Sequence, residues 1–223
     1  MESGKVELCI CLFANGSLMG GILNDSRKPA VQVWQQHVQS LNRLLDGLAF
    51  TSRDGTAVAA DAGFADWVDM TLRLREGRQT VYMIGNGASA SMASHFAADL
   101  AKNGRLHTQV FSDLSLITAI SNDMGYEHVF AEPLRRRGGR GDLLVAISSS
   151  GRSPNILAAV DVADELEMSV VTLTGKDPAN PLRKRGDLNL YVAAATYGLA
   201  ETAHAVALHW WMDLIQLQDG ELP

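Results

Sequence analysis

The stretch Val81-Tyr-Met-Ile-Gly-Asn-Gly-Ala-Ser-Ala-Ser-Met-Ala-Ser-His-Phe-Ala-Ala-Asp-Leu100 leaves this chain few alternatives. Val81 to Ile84 is a short apolar run with the length and β-branching of a strand. Gly85-Asn86-Gly87 asks for backbone freedom that a Cβ would deny. From Ser89 onward the residues are small, Ala-rich and helix-permissive, and Ser89 puts a hydroxyl where an N-cap belongs. Strand, glycine turn and helix N-terminus in succession gather unpaired N–H groups around an anion. His95 and Asp99 follow two turns into the helix, four residues apart and so on one face. Together they predict a site for a small phosphorylated molecule.

The rest of the chain alternates in the same way. Apolar strands are predicted at 81–84, 108–111, 142–147, 169–173 and 187–192. Helices are predicted at 114–121, at 126–137 (kinked or restarted at Pro133), at 154–166 and at 199–218. Strands that are apolar throughout and alternate with helices imply a five-stranded, mainly parallel sheet covered on both faces, an α/β doubly wound fold. Ligands of such sheets bind at the edge where strands turn into helices. Upstream, Val31 to Leu45 and Asp61 to Arg78 carry apolar residues at helical spacing and form an N-terminal helical pair. Residues 29–223 are read as one domain, and 1–28, broken by Gly16, Gly20 and Gly21, as a loosely packed extension.

Composition narrows the function classes. At 223 residues and 47% apolar content the chain can bury the core of one such domain. A formal charge of −6 argues against non-specific nucleic-acid binding. No apolar run has the length of a membrane span. The segment Val6 to Phe13 is short for a signal peptide and carries Glu7. A soluble cytoplasmic protein is the expectation. The only cysteines, Cys9 and Cys11, would sit roughly 6.6 Å apart on a strand, the outer limit for a disulfide, and no second pair completes a zinc ribbon.

A second strand-to-helix turn carries chemistry. Ala146-Ile-Ser-Ser-Ser-Gly-Arg-Ser-Pro-Asn155 supplies the hydroxyls of Ser148, Ser149, Ser150 and Ser153, a glycine, and Pro154 at a helix N1 position. This cup suits a phosphate monoester that must come and go. The motif G-x-x-x-x-G-K-[ST] is absent, which argues against nucleotide triphosphate chemistry.

From about residue 80 to 218 the chain resembles the sugar-isomerase (SIS) domain, and within it the phosphoheptose isomerases. The matching words are Gly85-Asn-Gly-Ala-Ser89, His95-Phe-Ala-Ala-Asp-Leu100, Ser121-Asn-Asp123, Ile147-Ser-Ser-Ser-Gly-Arg-Ser153, Leu173-Thr-Gly175, and Glu201-Thr-Ala-His204 running on to His209. The resemblance implies an aldose–ketose isomerase that converts sedoheptulose 7-phosphate into D-glycero-D-manno-heptose 7-phosphate, a step toward activated heptose for lipopolysaccharide or other surface polysaccharide. It implies that Asn86, Gly87, Ala88 and Ser89 contact the substrate, with Asn122, Asp123 and Glu201, and that Ser148, Ser149, Ser150 and Ser153 hold its phosphate. It gives Asp99 and His209 the acid–base roles. It also implies a divalent-metal site, zinc in the members that have one, formed by His95, Asp99, Glu201 and His209, and a homotetramer with active sites at subunit boundaries. A non-catalytic SIS-domain protein that binds a phosphosugar or regulates a partner is the alternative.

The reaction needs such groups on its own terms. Moving a carbonyl between C2 and C1 through an enediol requires one group to lift and return a carbon proton, and a second to shuttle protons between oxygens. Burial would strengthen the carboxylate as a base, and a metal could polarise the carbonyl. The chain departs from the family pattern at Asp99, usually glutamate, at Glu201, often glutamine, and at Ala88, usually glycine. Along one helix Glu201 and His209 stand about 12 Å apart, so His204 is an alternative co-ligand or else a core histidine.

Two conspicuous features have structural readings. Arg135-Arg-Arg137 with Arg140 reads as a solvated helix end. Trp210-Trp211 reads as core or subunit-interface packing, and the helices of 29–78 carry more apolar surface than one sheet requires.

Overall fold

A computed structural model describes residues 34–221 of the chain. The extension 1–28 with its two cysteines, and the predicted helix start at 29–33, lie outside the described residues. In order, the chain forms α1 (Trp34–Asp46), β1 (Ala49–Ser52), β2 (Ala57–Val58), α2 (Ala60–Gly77), β3 (Thr80–Gly85) and α3 (Ala88–Lys102). Next come β4 (His107–Gln109), α4 (Leu114–Met124), α5 (Ala131–Arg137) and β5 (Leu143–Ser148). The chain then forms α6 (Pro154–Glu165), β6 (Ser169–Gly175), β7 (Leu188–Val192) and α7 (Tyr197–Gln218).

Among the described residues the sheet has seven strands in the order β2-β1-β7-β6-β5-β3-β4, not the five predicted. The five predicted strands are the parallel ones. The addition is the β1–β2 hairpin, which runs antiparallel along β7. Asp54-Gly55 turns it, with Gly55 at φ +87°, and Asp54 accepts hydrogen bonds from Ser52 and Thr56. That dipeptide is a hairpin signal, masked here because the paired strands span only four and two residues.

Alternation along each central strand divides the core in two. Val81, Met83, Leu143, Val145 and Ile147 face Trp67, Phe96, Leu208 and Trp211 of α2, α3 and α7. Tyr82, Ile84, Leu144, Ala146 and Val170 face Ile120, Leu134, Ile156 and Val160 of α4, α5 and α6. The sheet is thus buried on both sides, as continuous apolar strands require. Trp211 stacks on Trp67 with centroids 4.2 Å apart and donates from Nε1 to Thr71 at 3.1 Å. It is core, as one of the two tryptophan readings had it. Arg135 and Arg136 pair with Glu165 and Glu132, in keeping with a solvated helix end. The helix predicted at 126–137 restarts: Tyr126–His128 is a 3-10 turn, and Pro133 lies in the first turn of α5.

From β3 the chain goes outward to the edge strand β4, then crosses to β5 on the other side of β3. Successive connections diverge between β3 and β5, whose ends are paired at Gly85 and Ile147. Doubly wound sheets open a crevice at such a divergence. Both motifs singled out in the sequence, Gly85–Gly87 and Ser148–Ser153, begin there.

Candidate functional site

The turn after β3 is closer than the sequence suggested. Gly85 leaves no room for a side chain, since a Cβ would lie 2.5 Å from the Ser89 backbone. Gly87, at φ +56°, is the N-cap of α3, so Ser89 is not the cap but the second helical residue. This places its side chain on the wall of a cavity instead. Ala88 begins the helix with a negative φ, so the loss of a second glycine costs no backbone strain.

That cavity, about 210 Å³, is lined by Asn86, Ser89, Ile147, Ser148, Ser149, Ser150, Ser153, Tyr197 and Glu201. The first turns of α3, α6 and α7 therefore converge on it, each with N–H groups and the positive end of a helix dipole. The serine hydroxyls are held loosely. Ser148 Oγ accepts from the Gly151 N–H at 3.2 Å and lies 3.4 Å from Ser153 Oγ. Ser150 Oγ accepts from the Arg152 N–H at 3.3 Å. Ser153 caps α6 without using its side chain. Ser149 Oγ is buried with no hydrogen-bond partner among the described residues. A buried hydroxyl left unpaired is costly, and a ligand oxygen would satisfy it.

The serine loop is braced from behind. Gly151 sits at φ +61°, and a Cβ there would come within 1.9 Å of Asn180 Oδ1. Its carbonyl accepts from the Leu182 N–H at 3.2 Å, and Arg152 pairs with Asp177. On the far wall, the Lys176 ammonium lies 3.7 Å from the centroid of the Tyr197 ring, so a cation stands behind a cavity-lining side chain.

The expected acid–base pair lies deeper along α3 and α7. His95 Nε2 is 3.4 Å from Asp99 Oδ2, and the His95 and His209 rings are 5.7 Å apart with Phe96 against both. Asp99 is half-buried, and both histidines are exposed. Glu201 belongs to the cavity rather than to this seam. The four expected metal ligands do not close around one point: among the described residues no three His, Cys, Asp or Glu side chains are grouped to hold an ion. His204 does not join them. It is buried, with Nε2 3.0 Å from the Thr174 carbonyl.

Gly87 lines a smaller neighbouring cavity of about 90 Å³ with Ser94, Ser112 and Tyr126, and Ala88 is exposed. Asn122 and Asp123 do not reach the serine cavity. Both are exposed in the last turn of α4, bonded to each other at 2.8 Å.

Three residues went unnoticed in the sequence. Tyr197 follows β7 at a third strand-to-helix turn on the same edge and could have been sought there. Asn155 and Tyr126 carry no such signal, because only the fold brings them to Asn86.

Comparison with known proteins agrees with this fold. Residues 48–175 match the SIS domain family. A phosphoheptose isomerase of Helicobacter pylori is 32% identical over 186 residues, covering 81% of this chain and 90% of that one. Among solved structures, a phosphoheptose isomerase from Neisseria gonorrhoeae superposes with a TM-score of 0.69 at 29% identity, covering 82% of this chain and 96% of that one. One from Francisella tularensis gives a TM-score of 0.71 at 27% identity over the same shares.

Proposed function

The chain belongs to the SIS-domain family, in the branch of the phosphoheptose isomerases, and from that premise we propose that it interconverts sedoheptulose 7-phosphate and D-glycero-D-manno-heptose 7-phosphate. The observation that carries this reading is the serine-lined cavity at the β3–β5 divergence, fed by three helix N-termini and holding the unpartnered Ser149 hydroxyl. It suits the phosphate end of the sugar. Asp99 lies ten residues beyond Ser89 on α3 and His209 eight beyond Glu201 on α7, about 15 and 12 Å by helical rise. An extended sugar chain suits that separation better than a compact one.

In this reading Ser148, Ser149, Ser150 and Ser153 take the phosphate, and Asn86 and Ser89 meet the sugar beyond it. Asp99 moves the carbon proton and His209 the oxygen protons. Among the described residues the donors do not converge on one point. Zinc at the seam remains a proposal that rests on donor type, imidazole and carboxylate. The exposure of the seam favours a homotetramer in which a second subunit covers it, with Gly87, Ala88, Asn122 and Asp123 completing the site there. A cytoplasmic location and a place ahead of surface-polysaccharide assembly follow from the family's activity. Among the described residues no helix is long and apolar enough to cross a membrane.

The test is solvent exchange of the C1 proton across a panel of ketose phosphates, with and without chelator. Exchange is expected with the seven-carbon ketose phosphate, and Asp99→Asn should slow it by about 10²- to 10⁴-fold while the fold is retained. Binding without exchange would instead favour the non-catalytic phosphosugar-binding reading.

A further inference from the structure

Asn86 is held by more hydrogen bonds than a substrate-facing amide needs for position alone. Its Oδ1 accepts from Asn155 Nδ2 at 2.9 Å and from the Tyr126 hydroxyl at 3.1 Å. Its Nδ2 donates to Asn155 Oδ1 at 2.9 Å. The orientation of this reciprocal pair is not free. Asn155 Oδ1 also accepts from the backbone N–H of Ile156 at 3.0 Å, and a backbone amide can only donate. Turning Asn155 would set its NH₂ against that N–H. Turning Asn86 alone would set oxygen against oxygen and NH₂ against NH₂. Asn155 is 2% exposed and Asn86 half-buried, so the Asn155 side of the pair is closed to solvent.

The valences of Asn86 can therefore be counted. An amide oxygen accepts two hydrogen bonds and an amide nitrogen donates two. Both acceptor positions are filled and one donor position is used. What Asn86 has left, between the serine cavity and the smaller neighbouring one, both of which it lines, is a single N–H.

We propose that Asn155 and Tyr126 are positioning residues that lock Asn86 as a hydrogen-bond donor toward the sugar oxygen on which negative charge develops. The inference rests on the isomerase reading. Forming an enediol from a ketose builds charge on the carbonyl oxygen, and a fixed donor stabilises it without reorganising. An amide free to turn would spend part of its time presenting oxygen to that charge. The lock also ties the Gly85–Gly87 turn to the first turn of α6, so the donor is set relative to the hydroxyls of the phosphate cup.

Two variants test this. Asn155→Asp keeps the acceptor for Ile156 and for the Asn86 NH₂ but replaces the donor by a second oxygen, which opposes the Asn86 Oδ1 in either orientation and so breaks the reciprocal pair. Tyr126→Phe removes one bond at an exposed side chain and serves if Asn155→Asp does not fold. Each is assayed for kcat and KM, and for inhibition by two probes: inorganic phosphate and a sugar-phosphate hydroxamate that mimics the charged enediol. Asn155→Asp should lower kcat by about 10²-fold and weaken the hydroxamate comparably, with phosphate affinity changed less than about twofold. Tyr126→Phe should shift the same quantities by roughly five- to tenfold. Unchanged kcat in both variants, or hydroxamate and phosphate weakened alike, would overturn the lock while leaving the isomerase standing. A wild type that exchanges no ketose proton would remove the isomerase reading and this role with it.

Discussion

His204 is one of the buried residues of α7, with Ala200, Ala203, Ala207, Leu208 and Trp211, and its Nδ1 has no hydrogen-bond partner among the described residues. Burial lowers its pKa from the ordinary 6.5 to about 4, against a smaller rise from the Thr174 carbonyl. The unfolded chain therefore takes up this proton first as pH falls. Stability from this group is complete above pH 6.5 and is lost between 6.5 and 4, by roughly 3 kcal/mol. Urea midpoints should fall across that window, and His204→Gln should remove this share of the slope; parallel curves for the two proteins would contradict the assignment. The buried positions of α7 recur at helical spacing through residue 204, so its core role was present in the sequence beside the ligand reading. The polarity of Asn86 was not. It depends on Asn155 and Tyr126, 69 and 40 residues away along the chain.

The serine loop does its work as an element because its shape is enforced from outside. Gly151 needs both its left-handed φ and the space occupied by Asn180. Gly151→Ala should therefore lower kcat/KM at least about tenfold, the kinetic equivalent of 1 to 2 kcal/mol of backbone strain, with helix content in circular dichroism unchanged. A variant as active as wild type would mean that the loop can relax without loss. The hydroxyls and glycine of this element were legible in the sequence, as was its place after an apolar strand. The brace formed by Asp177, Asn180 and Leu182 was not, because it comes from the connection after the next strand. The β1–β2 hairpin escaped for a related reason: strands this short form only against β7, so their own alternation says little.

In the whole molecule, α1 has no buried residue, and Trp34 at its start is 73% exposed, with Val38 exposed beside it. Trp210 on α7 is also uncovered, at the rim of a groove formed with Phe64 and Val68. Trp34, Val38, Phe64 and Val68 lie on the helices of 29–78 that the sequence showed to be over-supplied with apolar residues. Trp34→Ser combined with Val38→Ser should convert the proposed tetramer into smaller species in sedimentation at micromolar concentration, and turnover should fall with it. A wild type that sediments as a monomer would discard the assembly. The α/β order, the five parallel strands and both ligand turns could be read from local pattern, because each follows from runs of a few residues. Relations between helices distant in sequence could not. The flanking hairpin has a consequence of its own. β7 would otherwise end the sheet with a five-residue row of unpaired backbone groups, and at the opposite margin β4 offers only three residues. With one border occupied and the other cut short, the sheet gives a stray strand little to grow upon, so contacts between molecules are left to helices rather than to polymerising backbone.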